Sequence, residues 1–240
     1  MYADYLYISS RDKIVPSDTS SSFKVHLNHP IEGKHWINLS YFSVMNTIYN
    51  VTSENNNITV DVGGTPYNAV IPVGSYNITS LTGALKSALD NNGSLLTYAV
   101  SYSDTTFLIT ISAGSSFSLL FGTSKNQINE VIGFEPQDTN AATSVTGSYA
   151  IDLHSPILFI RINELGSQYN ASNHDDRMTF VVPVQVNSGD MITYTEKSAF
   201  DQKKMINNRV ISEMKVTILD KNNKVVDLHG AEVTMIFSLN

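Results

Sequence analysis

The chain has 240 residues, enough for one large all-β domain or a domain carrying a sizeable insertion, and 42% hydrophobic residues can build a real core. Charged residues make up only 15%, against about 25% in an ordinary soluble domain; 29 Ser, 20 Thr and 23 Asn fill the gap. Absence of cysteine excludes disulfide scaffolds, thiolate metal sites and cysteine nucleophiles, and the net charge of −7, with no basic half or tail, argues against electrostatic capture of nucleic acid.

The opening MYADYLYISSRDK lacks the apolar segment of a signal peptide, because Asp4 interrupts it and no positive stretch precedes it. Tyr2, Tyr5 and Tyr7 crowd this first strand. Tyr brings contact area at little entropic cost, so these three are the candidate subunit-interface residues. A strand that docks on a neighbouring subunit stands against one that edges its own sheet. Phe23, Val25 and Leu27 alternate with Lys24, His26 and Asn28, the pattern of a half-buried strand. In the next strand Ile37 and Leu39 lie on one parity and Phe42, Val44 and Ile48 on the other, which predicts a bulge near Ser40. Ile58, Val60 and Val62 alternate up to the turn signal Gly63-Gly64, and Tyr67 to Ile71 returns.

The period then changes. Leu81, Leu85, Ala88 and Leu89 form a helical stripe near residues 78–90, with Asn77 or Thr79 as N-cap and Asn91-Asn92-Gly93 as the stop. Tyr98 to Tyr102 and Phe107 to Ile111 predict a β-hairpin, and Phe117 to Phe121 a further short strand. Ile128, Val131 and Ile132 predict a short helix ended by Gly133, with Phe134 packed behind it. Residues 137–147 read as a Ser/Thr/Ala/Asn-rich loop. Strands are expected again at Tyr149–Leu153, Ile157–Ile162, Thr179–Val184 and Met191–Tyr194, with polar loops over 166–177 and 196–209. Val210, Ser212, Met214, Val216 and Ile218 are expected on one face of a last hairpin closed by Val233, Met235, Phe237 and Leu239.

Short strands separated by turn signals, with one clear helix, predict an all-β fold: a jelly-roll β-sandwich over residues 1–71 and 148–240, with a small α/β insertion over 72–147. No run reaches the roughly 18 apolar residues of a membrane span. The six histidines include no H-x-H, and His26 and His29, three apart, fall on opposite faces of a strand. The loop with Asp175 and Asp176 lacks EF-hand spacing. There is no G-x-S-x-G, G-x-x-x-x-G-K-[ST] or G-x-G-x-x-G. No catalytic, cofactor-binding or metal-ligating residue is therefore assigned, and neither a cofactor nor an enzymatic activity is expected. Six N-x-[ST] sequons, including those at Asn38, Asn50, Asn77 and Asn170, match what composition alone supplies, about five.

The order of segments resembles a family. Tyr-Leu-Tyr-Ile-Ser-Ser-Arg-Asp (5–12) is followed by Ser-Ser-Ser-Phe-Lys-Val-His-Leu (20–27), then by Trp36 to Tyr49 with Asn-Thr-Ile-Tyr-Asn (46–50). Ile-Pro-Val-Gly-Ser-Tyr-Asn (71–77) leads into the Leu helix, Ile-Gly-Phe (132–134) follows, and Leu-Asp-Lys-Asn-Asn-Lys-Val-Val-Asp-Leu-His-Gly (219–230) lies near the end. This resembles the penton-like minor capsid proteins of virophages, Polinton-type viruses and related large double-stranded DNA viruses. The resemblance implies a single jelly roll assembled as a homo-pentamer at icosahedral vertices of the virion. It would sit beside a major capsid protein with two jelly rolls, and would be assembled inside the infected cell. No direct nucleic-acid binding is expected: the first 30 residues set Arg11, Lys13 and Lys24 against Asp4, Asp12 and Asp18. A glycan or receptor remains open as a further partner. Two other classes fit the strand pattern: a carbohydrate-binding or host-attachment β-sandwich module, and a β-sandwich hydrolase. The hydrolase needs a convergent acid or Ser/His set that the sequence does not display.

Overall fold

The computed structural model describes residues 4–153, 156–165, 180–196, 202–206 and 210–240. The chain opens with β1 (Asp4–Ser9), β2 (Ser22–Glu32) and β3 (Trp36–Met45). Then come β4 (Asn57–Val62), β5 (Thr65–Val70), α1 (Ile78–Asp90), β6 (Tyr98–Tyr102), β7 (Ile109–Leu119), α2 (Asn129–Ile132) and β8 (Ala142–Thr146). It closes with β9 (Ile157–Ile162), β10 (Phe180–Pro183), β11 (Met191–Thr195), β12 (Lys204–Met205), β13 (Val210–Leu219) and β14 (Thr234–Leu239). It divides into two compact units, Met1–Ile48 with Ser155–Asn240, and Tyr49–His154.

The first unit is a jelly roll. One sheet has the order β1-β14-β3-β11, with β12 also paired to β3; the other has the order β10-β9-β13-β2. All pairings are antiparallel. The chain passes back and forth between the sheets: β1, β3, β11 and β14 lie in one, β2, β9, β10 and β13 in the other. The two inner faces make one core. Phe23, Val25 and Leu27 enter it from β2, Phe42 and Val44 from β3, Met214, Val216 and Ile218 from β13. Phe180 of β10 and Phe237 of β14 meet across it, with ring centroids 5.5 Å apart. Burying each such side chain stabilises the fold by about 1.5–3 kcal/mol.

Two bulges set which residues reach this core. In the β14–β3 ladder Ile236 faces Tyr41 while Phe237 faces Leu39, so Ser40 is the extra residue that lets Leu39 and Phe42 both point inward. In β13 the register shifts between Ile211 and Glu213. That shift overturns the expectation of one continuous face: Val210 and Ser212 are exposed, while Ile211 and Met214 are buried.

The second unit carries the sheet β5-β4-β7-β6, with β8 paired to β7 and α1 packed alongside. Leu81, Leu85 and Leu89 of α1 are fully buried. Asn77 accepts from the Ser80 N–H at 2.9 Å and donates its own N–H to Ser80 Oγ at 3.0 Å, a reciprocal cap. Tyr98 packs edge-on against Phe117, their centroids 5.5 Å apart, and α2 stops at Gly133 (φ +79°), with Phe134 against Phe121.

The division of the chain differs from the expected boundaries at 72 and 147. Ile58, Val60, Ala69 and Ile71 belong to the same core as Leu81 and Leu85, so the β4–β5 hairpin is part of the second unit. Phe117 is not in a separate strand but in the second half of the long β7. Residues 142–146, expected in a loop, form β8 because Thr and Ser pair readily along the edge of β7. Residues 149–153 do not form a strand. They are tied by single bonds, Tyr149 N–H to Gly133 O at 2.9 Å and Asp152 N–H to Val131 O at 3.0 Å.

Candidate assembly surface

Side chains alternate across each strand, so fixing the inner face of the β1 sheet also fixes its outer face. Ile8, Phe42, Val44, Ile192, Met235 and Phe237 point inward. The opposite parity places Tyr5 and Tyr7 on the outer face of β1, with Ile236 and Ser238 beside them on β14. Tyr41, Ser43 and Met45 follow on β3, and Met191, Thr193 and Thr195 on β11. Trp36 and Met205, paired where β12 meets β3, extend the same face. None of these side chains carries a charge. Tyr5 is 70% exposed and Tyr7 58%.

The clustering is not what a randomly wetted surface gives. The first unit exposes 11 large hydrophobic side chains among the described residues, and six of them share this face: Tyr5, Tyr7, Trp36, Met45, Met191 and Met205. Enrichment in Tyr, Trp and Met with depletion of charge is the composition of a protein–protein contact core. Lys204 lies opposite Ile37, which turns its side chain to the inner side of the sheet, and burial pushes its ammonium pKa down.

The outer face of the β2 sheet is different in kind. Lys24 pairs with Glu213, and His26 Nδ1 lies 3.9 Å from the same carboxylate. The Lys24 ammonium pulls the Glu213 carboxyl below the usual range, and Glu213 raises Lys24 in return. Arg161 of β9 shares that face, opposite Thr217.

Of the three sequence-derived interface residues, the structure brings Tyr5 and Tyr7 together on one face, while Tyr2 lies outside the described residues. β1 pairs with β14 of its own chain and so forms an edge of its own sheet. Trp36, Tyr41, Met45, Met191 and Met205 were missed. The signal was present in the uncharged outward parity of residues 36–45 and 191–195. No group of three or more His, Asp or Glu that could hold a metal occurs among the described residues, and the Asp175-Asp176 loop lies outside them. No described helix is long and apolar enough to cross a membrane. Of the sequon side chains, Asn38 is buried, Asn50 is hydrogen-bonded through its amide, and Asn77 caps α1.

Fold and face together define a single jelly-roll protein with an inserted unit and one sheet surface whose outward strand side chains, among the described residues, are uncharged, with the Arg11–Glu232 pair at its end. The same architecture is found in the crystal structure of the selenomethionine-labelled mavirus penton protein. The likeness has a TM-score of 0.57 at 10% identity and covers 100% of this chain and 99% of that one. It shows the fold alone, a jelly roll with an inserted unit like that of the penton protein. A second solved structure, the D2–D3 domains of the flagellar cap protein FliD from Escherichia coli, is 12% identical over 90% of this chain and 98% of that one. Its TM-score of 0.19 carries no argument. No protein-family model matches the sequence, and no curated protein matches it.

Proposed function

We propose that this chain is a structural capsid protein, a penton that assembles as a homo-pentamer at the fivefold vertices of an icosahedral virion beside a two-jelly-roll major capsid protein. The observation that carries this reading is the end-to-end fold likeness to the mavirus penton protein, which takes in the jelly roll and the insertion alike. The charge-free face of the β1 sheet supports it physically. A closed ring repeats one heterologous contact, and copies that each carry −7 meet at least cost where neither presents charge. Tyr5 and Tyr7, with Tyr2 ahead of them, belong to the subunit contact. The acidic balance, without a basic stripe, gives the protein a role in the shell rather than on the genome. Negative-stain electron microscopy of the purified chain tests the reading. Class averages with fivefold symmetry are expected; particles of one or three subunits across protein concentrations would contradict it, and glycan binding by such a monomer would favour an attachment module instead.

A further inference from the structure

We propose that, within the self-assembly inferred above, copies of this chain join by strand addition. The free edge of β1 in one protomer hydrogen-bonds antiparallel to the free edge of β11 in the next, and the β1 sheet runs on from subunit to subunit.

The phase of the hydrogen bonds leads to this junction. In an antiparallel pair, residues alternate between exchanging bonds with the partner and facing away from it. Ser10 N–H donates to Val233 O at 2.9 Å, in line with the β1–β14 register. Stepping back by two, Ile8 with Met235, Leu6 with Phe237 and Asp4 with Leu239 are the bonded pairs. The backbone N–H and C=O of Tyr5 and Tyr7 therefore point to the free edge. On the far side, Glu196 N–H donates to Ser40 O at 3.0 Å, which makes Tyr194 with Phe42 and Ile192 with Val44 the bonded pairs. Met191, Thr193 and Thr195 then direct their N–H and C=O outward. No backbone partner reaches the outward groups of Tyr5, Tyr7, Met191 or Thr193 among the described residues.

These two edges match each other. Both present outward backbone groups on residues whose side chains lie on the charge-free outer face, so pairing them sets Tyr beside Thr and Met on one continuous surface. Four antiparallel strands also leave β1 and β11 running in opposite directions. A head-to-tail junction is then antiparallel in every copy related by rotation about an axis along the strands, which is the relation a closed ring requires.

The other sheet shows what the fold does where strand addition is unwanted. Along β2, Ile14 N–H donates to Lys24 O at 2.9 Å, Asp18 Oδ2 accepts the Lys24 N–H at 3.1 Å, and Pro30 brings no donor. Along β10, Pro183 removes another donor. The Gln202 amide also closes on Val181 like a short strand, Oε1 accepting its N–H at 2.7 Å and Nε2 donating to its C=O at 2.9 Å. β1 and β11 contain no proline, and no such cap reaches them among the described residues.

Paired substitutions separate backbone from side chain. Tyr7→Pro deletes an outward N–H but no bond to β14, whereas Tyr7→Thr removes the same ring and keeps the N–H. Thr193→Pro and Thr193→Val do the same on β11. By sedimentation equilibrium, each proline variant is expected to weaken association about tenfold or more beyond its partner variant, while far-UV circular dichroism of the protomer is unchanged. Equal losses within a pair would assign the contact to side chains and overturn the proposal. An effect at Tyr7 without one at Thr193 would overturn the choice of β11. Amide exchange on the unmodified protein covers the case of a variant that fails to fold: the Tyr7 and Thr193 amides must be protected in the oligomer and exposed on dilution, and equal exchange in both states refutes strand addition. A wild-type chain that stays monomeric instead refutes the pentamer reading itself.

Discussion

Replacing Asn50 by alanine removes three hydrogen bonds that tie distant segments of the second unit. Asn50 Nδ2 donates to Tyr76 O at 2.7 Å and Leu153 O at 3.1 Å, and its Oδ1 accepts the Tyr76 N–H at 2.9 Å. The neighbouring Val51 and Gly74 exchange backbone bonds at 2.9 and 3.1 Å, so the side chain anchors the same crossing of the chain. At about 1 kcal/mol net per bond, the loss is about 3 kcal/mol. For a unit near 100 residues, that lowers the melting temperature by roughly 12–20 °C. Scanning calorimetry should place this shift in the transition of the second unit, with the jelly-roll transition unmoved. Asn50→Asp sharpens the test. It keeps an acceptor for the Tyr76 N–H but sets a carboxylate oxygen against two carbonyls, so at neutral pH it should be at least as damaging as alanine. The two carbonyls raise the pKa of that carboxyl above the free value of about 3.9, so acidification through that range should restore part of the loss. A melting temperature for Asn50→Ala within about 3 °C of wild type would refute the latch.

Three further outcomes follow from particular contacts. Gly133→Ala should abolish folding of the second unit, because its Cβ would lie 2.0 Å from Tyr149 O at a residue held at φ +79°; soluble yield and calorimetry report this, and a normal melt would contradict the close approach. Phe237→Ala should destabilise the jelly roll by about 3–5 kcal/mol through the cavity left against Phe180, read by urea denaturation; a loss under about 1 kcal/mol would contradict the cross-sheet packing. Asp90 accepts from Lys86 and from the Tyr98 N–H at 2.8 Å, which lowers its carboxyl pKa. The stability this supplies is complete above the unfolded value of about 3.9 and is lost as pH falls through the folded value. Asp90→Asn should therefore flatten the acid limb of the stability profile, and an unchanged limb would contradict the assignment.

Strands and helix were legible where one face is buried and the other wet. Phe23-Lys-Val25-His-Leu27 reads as β2 because alternation reports a two-sided environment. The Leu81/Leu85/Leu89 stripe reads as α1, and the clash of parities around Ser40 gave the bulge. Legibility failed where pattern and environment part company. The Ala-Thr-Ser-Val-Thr of β8 buries no side chain fully, so nothing in it alternates, and the β13 bulge breaks the parity that Val210 and Ser212 share with Met214 in the sequence. The division at Tyr49 was hidden because a β-hairpin such as β4–β5 looks the same whichever core it joins; only Ile58 and Ile71 packing with Leu85 reveals its side. The candidate surface was half legible. Tyr5 and Tyr7 stand out as aromatics in a strand short of core residues, whereas Trp36, Met45 and Met191 acquire meaning only when β3 and β11 are laid beside β14 and a charge-free face emerges.

The mass of the purified chain in solution, by sedimentation velocity across concentration and salt, tests the capsid account most directly. The account predicts a species of five 26.4 kDa chains, about 132 kDa, that persists at high salt because the contact carries no charge. A persistent monomer, or a trimer of about 79 kDa, would contradict it.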